Sequence, residues 1–324
     1  MTQSFSHLIL FLLTLGASLS THIQQKTPPV DVTSQPITER PLVVTVTDEK
    51  GKYAVGLKRD AFTVYEERTP LEIVSFSNAD EPSSIGIMFD MSGSMLDVYH
   101  LERNETEDVF KQSVSLLLEK GHPSNEYFVA GFTSDLQVIL DMTSDHNAVI
   151  KSLDKLFSIA PKGRTALYDA CYLAMNKAFS GSRRKRAIVL FTDGQDSASK
   201  RSLNELSRRL WEQDVLFYPI AIFERRSPVD TLDLGARAAV GELARISGGK
   251  VFYPRNNVEL DEVMKSIAAE LRAQYTLGVK HAGAQRKEGR RKIDVRLSPQ
   301  YDTSGKAIKL SVRAREGYYR EGNR

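Results

Sequence analysis

Ser84-Ile-Gly-Ile-Met-Phe-Asp-Met-Ser-Gly-Ser-Met95 is an apolar run that stops at Asp90-Met91-Ser92-Gly93-Ser94. A short continuous apolar run closed by turn residues reads as a buried strand. The loop beyond the carboxyl end of such a strand is where open α/β sheets hold ligands. One carboxylate and two hydroxyls on that turn make an oxygen-only donor set, which suits Mg2+, Mn2+ or Ca2+ better than zinc or copper. Taken alone, D-x-S-x-S is as readily a polar turn after a buried strand as a cation site.

Two further segments shift that balance. Ala187-Ile-Val-Leu-Phe-Thr-Asp193-Gly-Gln-Asp196 is a second apolar strand ending in an acidic, Gly-containing turn. Pro161-Lys-Gly-Arg-Thr165-Ala-Leu-Tyr-Asp169 sets a threonine just after a Gly turn, at the head of a helical stretch. Together the three segments resemble the metal-ion-dependent adhesion site of the von Willebrand factor type A family, in which three loops supply D-x-S-x-S, a Thr and an Asp. All five positions are filled here, in the family's order.

The resemblance implies that Asp90, Ser92, Ser94, Thr165 and Asp193 form a metal shell. It implies direct ligation by Ser92 and Ser94, with Thr165 and the two aspartates ligating directly or through water according to whether a ligand is bound. Few charged donors leave such a cation electrophilic, able to take a partner's carboxylate as its remaining ligand. Asp169 and Asp196 are expected to support these loops rather than to bind the ion.

Working outward, strands alternate with helices from Ser84 to about Ala273, the pattern of a doubly wound, mostly parallel α/β sheet covered on both faces. Helices are expected over 101–120, 146–157, 166–179, 203–213, 234–246 and 257–273. Strands are expected at 127–132, 136–140, 187–192, 214–222 and 250–253, and the short Thr133-Ser-Asp135 link makes 127–132 and 136–140 antiparallel. On either side the pattern turns to short β-type runs, Leu42–Thr47, Phe62–Glu66 and Leu71–Phe76 before the unit, Tyr275–Lys280, Arg291–Leu297 and Ile308–Arg313 after it. Neither flank has enough strands for its own core, so residues 41–80 and 274–320 are expected to share one small antiparallel β domain into which the α/β unit, residues 82–273, is inserted. The whole chain, with its tail ending Arg315-Glu-Gly-Tyr-Tyr319, resembles bacterial von Willebrand factor type A-related proteins abundant in Acidobacteria. That likeness implies architecture more than function.

The 324 residues are 41% apolar and 26% charged, ordinary for a soluble globular protein, and the net charge of +3 signals no polyanion ligand. Residues 1–20 carry no charged side chain, and Leu8–Leu15 followed by small residues reads as a secretory signal peptide cleaved after Ser20, or alternatively as an uncleaved anchor. Residues 21–40 are polar and proline-bearing, a flexible leader. With the signal peptide removed, no span of the membrane remains, and the expected location is secreted or periplasmic. Cys171 is alone, which excludes an internal disulfide, and its helical apolar setting makes it a buried, inert thiol.

The basic runs at 183–186 and 285–292 are not interleaved with aromatics, so nucleic acid is not expected as a partner. The six histidines lack ligand spacing, which argues against zinc. Ser247-Gly-Gly-Lys250 lacks the first glycine and the final Ser or Thr of a phosphate loop. An aspartyl-phosphate phosphatase also carries an Asp after a parallel strand beside Mg2+, but needs a second acid two residues on, where this chain has Ser92. The expected function is therefore non-enzymatic: a divalent-cation-dependent binding module, using Mg2+ (or Mn2+ or Ca2+) to capture an Asp or Glu carboxylate of a protein ligand. The alternatives are a Mg2+-dependent phosphatase-like hydrolase, or a structural domain whose metal only stabilises the loops.

Overall fold

The computed structural model describes residues 39–93, 95, 103–159, 163–222, 231–280, 288–301 and 305–320. The expected signal peptide, most of the leader, Ser94 and the first three residues of the second basic run, 285–287, lie outside these residues.

A five-stranded sheet forms the centre, in the order β7-β6-β5-β8-β9. Its strands are β5 (Ser83–Asp90), β6 (Glu126–Phe132), β7 (Leu136–Thr143), β8 (Lys185–Thr192) and β9 (Leu216–Ala221). All are parallel except β7, which turns back on β6 through the expected hairpin, Phe132 opposite Leu136. Every residue of β5 is buried, because helices cover both faces. Ile85, Ile87 and Phe89 pack with α1 (Arg103–Lys120), α2 (His146–Ser158) and α6 (Asn257–Ala273). Met88 points into the opposite core, with α3 (Leu167–Ala178), α4 (Leu203–Glu212) and α5 (Thr231–Ser247). Residues of one strand feed two cores because side chains alternate across a sheet.

The helices begin where local chemistry satisfies their first free N–H groups. Asp145 accepts from the amides of Asn147 and Ala148 at α2. Ser202 and Glu205 form a reciprocal capping box at α4. Asn256 caps α6 through the Glu259 amide. Among the described residues, no helix is long and apolar enough to cross a membrane.

The strand expected at 250–253 is instead a single bridge, Phe252 beside Ile220. Phe252 N–H donates to Pro219 O, and Ala221 N–H donates to Phe252 O, each at 2.9 Å. Extending this parallel ladder in one direction needs an N–H on Pro219, and in the other an N–H on Pro254. Proline has none, so the pairing stops after one residue. The glycines before it serve packing: a Cβ on Gly249 would fall 1.8 Å from Phe217 O.

The two flanks pair with each other, as expected. Strands β1 (Glu39–Asp48), β4 (Ile73–Ser77), β10 (Tyr275–Lys280) and β14 (Leu310–Ala314) form one antiparallel sheet, ordered β14-β1-β10-β4. Strands β2 (Phe62–Glu66), β3 (Thr69–Leu71), β11 (Gly289–Leu297) and β15 (Gly317–Arg320) form a second, ordered β15-β11-β2-β3. A small hairpin of β12 (Gln300–Tyr301) and β13 (Ala307–Ile308) stands apart. One apolar cluster joins both flanks, with Val44, Phe62 and Val64 against Tyr275, Leu277 and Ile293.

Buried polar contacts tie this layer to the α/β unit. Glu270 on α6 is 1% exposed. Its carboxylate accepts from Tyr218 (2.7 Å) and Tyr53 (3.3 Å), and pairs with Arg313 at 2.6 Å. The tail motif has its own role: Arg315 donates from Nη2 to the carbonyls of Leu210 and Trp211 at 2.9 Å each, closing the C-terminal turn of α4.

Candidate functional site

Strand β5 connects through α1 to β6 on one side, while β8 connects through α4 to β9 on the other. The point where the winding direction reverses lies between β5 and β8, and a crevice opens there beyond the strands' carboxyl ends. Asp90 ends β5, and Asp193 directly follows β8. Phe89 and Phe191 sit opposite each other in the parallel register, with their rings stacked at 4.6 Å between centroids. The residues one step on, Asp90 and Thr192, are therefore neighbours too.

Four of the five expected ligands are placed at this end of the sheet and are nearly sealed from bulk water: Asp90 is 4%, Ser92 3%, Thr165 5% and Asp193 4% exposed. The fifth, Ser94, lies outside the described residues. Asp90 Oδ1 accepts the Ser92 N–H at 3.0 Å, and Oδ2 accepts the Thr192 hydroxyl at 2.8 Å. Asp193 Oδ1 accepts the Gln195 N–H at 2.9 Å. Thr165 reaches the same end because Ala166 N–H donates to Thr133 O at 2.7 Å, just past β6. Both backbone groups of Thr165 are bound to the loop after Asp193. Its N–H donates to Ser197 Oγ at 3.1 Å, and its carbonyl accepts from Ser197 and Ala198 at 2.8 and 2.9 Å.

The expected supporting acids do support the loops. Asp169 accepts from the Lys200 amide at 2.8 Å and from Arg201 Nη1 at 2.9 Å. Asp196 accepts from the Tyr168 amide at 3.3 Å and the Ser199 hydroxyl at 2.5 Å. Two residues that sequence reading passed over matter as much. Thr192 orients Asp90 while accepting the Gly194 N–H at 3.0 Å, and Ser197 clamps the Thr165 loop. The signal for Thr192 was present in its position, one residue before Asp193, but its meaning depends on the β5–β8 register.

Burial pushes the Asp90 carboxyl up to about 7, and the neighbouring Asp193 charge pushes the same way, against the hydrogen bonds from Ser92 and Thr192. Two carboxylates in one desolvated crevice repel each other and lack water, a combination that a cation relieves. Among the described residues no group of three or more His, Cys, Asp and Glu converges on a common point, so an ion here relies on hydroxyl oxygens beside the carboxylates. The donor chemistry fits a hard divalent cation. Cys171 takes no part: it is fully buried, and burial pushes its thiol well above the usual range.

A comparison with curated proteins gives no match. Similar solved structures include an aerotolerance-related membrane protein from Bacteroides fragilis, 21% identical over 58% of this chain and 98% of that one, with a TM-score of 0.45. A von Willebrand factor type A protein from Catenulispora acidiphila is 13% identical over 88% of this chain and 75% of that one, with a TM-score of 0.46. Proximal thread matrix protein 1 from the mussel byssus, in a form with a zinc-occupied MIDAS motif, is 17% identical over 64% of this chain and 50% of that one, with a TM-score of 0.48. The von Willebrand factor type A domain family matches residues 84–268, more than half of the chain and the same span as the doubly wound unit. The chain belongs to the von Willebrand factor type A domain family.

Proposed function

We propose that this protein is a secreted or periplasmic, divalent-cation-dependent protein-binding module, in which Asp90, Ser92, Ser94, Thr165 and Asp193 hold Mg2+ or a similar hard cation. The observation that carries the reading is the pair of buried carboxylates, Asp90 and Asp193, side by side at the reversal point of the sheet. When bound, the cation supplies an electrophilic coordination position for a carboxylate of the partner. The chain's own groups do the rest. Thr192 and the Ser92 amide aim Asp90, the Gln195 amide aims Asp193, and the Ser197 clamp fixes Thr165.

Isothermal titration of the full chain with Mg2+ and Mn2+ tests the site. About one equivalent of cation is expected to bind the wild type, and none the double variant Asp90→Ala, Asp193→Ala. Equal affinity in both proteins overturns the assignment.

A further inference from the structure

At the opposite end of the central sheet, where β8 and β9 begin, a cavity of about 30 Å3 lies against β1 and β10 of the flanking layer. Pro41, Val43 and Leu216 give it apolar walls. The space exceeds the roughly 10–15 Å3 that one water needs, and holds a molecule of a few atoms only. Lys185 lines it and is 3% exposed, while the neighbouring Arg184 is exposed and carries the lining out to the surface. Lys185 Nζ donates to Leu271 O on α6 at 2.7 Å and has no ion pair among the described residues. The two acids whose charge reaches it are engaged elsewhere, Asp80 with Arg272 at 2.7 Å and Glu81 with the Ser77 hydroxyl at 2.7 Å. Burial without a counter-ion favours the neutral amine, which is the nucleophilic form.

The charges on the lining do not balance. Arg184, Lys185, Arg186 and Arg315 stand against Glu81 and Asp214. Asp214 pairs with Arg315, and with Arg40 at 3.8 Å. Arg184 and Arg186 have no ion pair among the described residues. Arg186 rests on the Phe179 ring and donates to Arg184 O at 3.2 Å, but its buried Nε has no hydrogen-bond partner. With Lys185 protonated, the lining therefore carries two surplus positive charges. Turning that ammonium into an anion would cancel both.

We propose that Lys185 is a modification site that forms a carbamate with carbon dioxide. The Nζ lone pair attacks the carbon of CO2, one C=O π pair moves onto oxygen, and a proton leaves Nζ for water. The products are Nζ–H–COO− and H+, and nothing is oxidised or reduced. The carbamate nitrogen keeps one hydrogen, which is what the bond to Leu271 O requires. Its carboxylate meets a lining that already holds arginine donors without carboxylate partners. The size of the cavity selects CO2 over larger aldehydes and acyl donors. The charge change falls at the seam where β1 and β10 meet the α/β unit, far from the Asp90 end of the sheet.

Carbon-13 NMR of the full chain in labelled bicarbonate tests this, followed by trapping of the adduct with triethyloxonium and peptide mass spectrometry. A protein-bound carbamate resonance is expected, and the trapped label should sit on Lys185 above every other lysine. At fixed dissolved CO2 its occupancy should rise between about pH 6.5 and 8.5, as the amine gives up its proton. The double variant Arg184→Gln, Arg186→Gln leaves Lys185 in place. It should lower occupancy about threefold to tenfold, with the fold verified by circular dichroism. Lys185→Met should abolish the resonance, and the peptide assignment in the wild type stands even where that variant fails to fold. No carbamate resonance in the wild type, labelling of Lys185 no greater than that of exposed lysines, or occupancy unchanged in the double arginine variant overturns the proposal.

Discussion

The Thr192 hydroxyl donates to Asp90 Oδ2 at 2.8 Å across two parallel strands, and Thr192 Oγ1 in turn accepts the Gly194 N–H at 3.0 Å. One fully buried hydroxyl thus fixes both a carboxylate and the turn that carries Asp193. Thr192→Val keeps the shape and removes both bonds. It should cost about 1–3 kcal/mol in chemical denaturation and weaken cation affinity roughly tenfold or more in calorimetry, while Thr192→Ser retains most of both.

Cation binding should stabilise the chain without being needed to fold it, since the cores on both faces of the sheet are continuous beneath the crevice. With Mg2+ at a hundred times its dissociation constant, unfolding free energy should rise by about 2.7 kcal/mol. Chelator should lower the melting temperature accordingly and leave the circular dichroism spectrum of the folded protein unchanged. Loss of the folded spectrum on chelation would show that the metal is a folding requirement instead.

Lys185 gives the chain a pH signature. It is 3% exposed and donates from Nζ to Leu271 O at 2.7 Å. Burial pulls its amine down from 10.5 to about 8, although Asp80 and Glu81 pull the other way. Below pH 8 the folded state bears the whole cost of the buried charge. Between about pH 8 and 10.5 the folded protein releases the proton while the unfolded chain keeps it, so this group makes stability rise with pH. Relative to Lys185→Met, the wild type should gain up to about 3 kcal/mol across that window. Urea unfolding of both proteins at several pH values measures it, and a constant difference would refute the assignment.

Deleting residues 275–324 removes β10, β11, β14 and β15, leaving β1 without its sheet neighbours, β2 with β3 alone, and Glu270 without Arg313. The truncated protein should be poorly soluble, and residues 39–77 should be cut rapidly in limited proteolysis. A protease-resistant leading segment in that protein would mean the two flanks do not depend on each other.

Most of this architecture is written in short-range patterns. The apolar runs of β5 and β8 are legible because both faces of each strand are covered, so no polar residue interrupts them. Asp90 and Asp193 could be placed at one end of the sheet because they close readable strands, and Thr165 because it heads a readable helix. What escaped depends on pairing. Phe252 looks like part of a strand until Pro219 and Pro254 are seen to face the ladder. Thr192 looks like a strand residue until β5 lies beside it.

The pairing of the two flanks also has a mechanical consequence. Arg40 stacks on the Tyr318 ring at 4.7 Å, so the first and last described strands end close together. A pull applied at Glu39 and Arg320 would open the outermost pairs first, Glu39 from Lys280 and Arg320 from Gly289. Hydrogen bonds stretched in this direction break one after another rather than sharing the tension. The β layer would unzip at low force while β5 and β8 stayed unstrained, so the end of the sheet that carries Asp90 and Asp193 would keep its geometry under load.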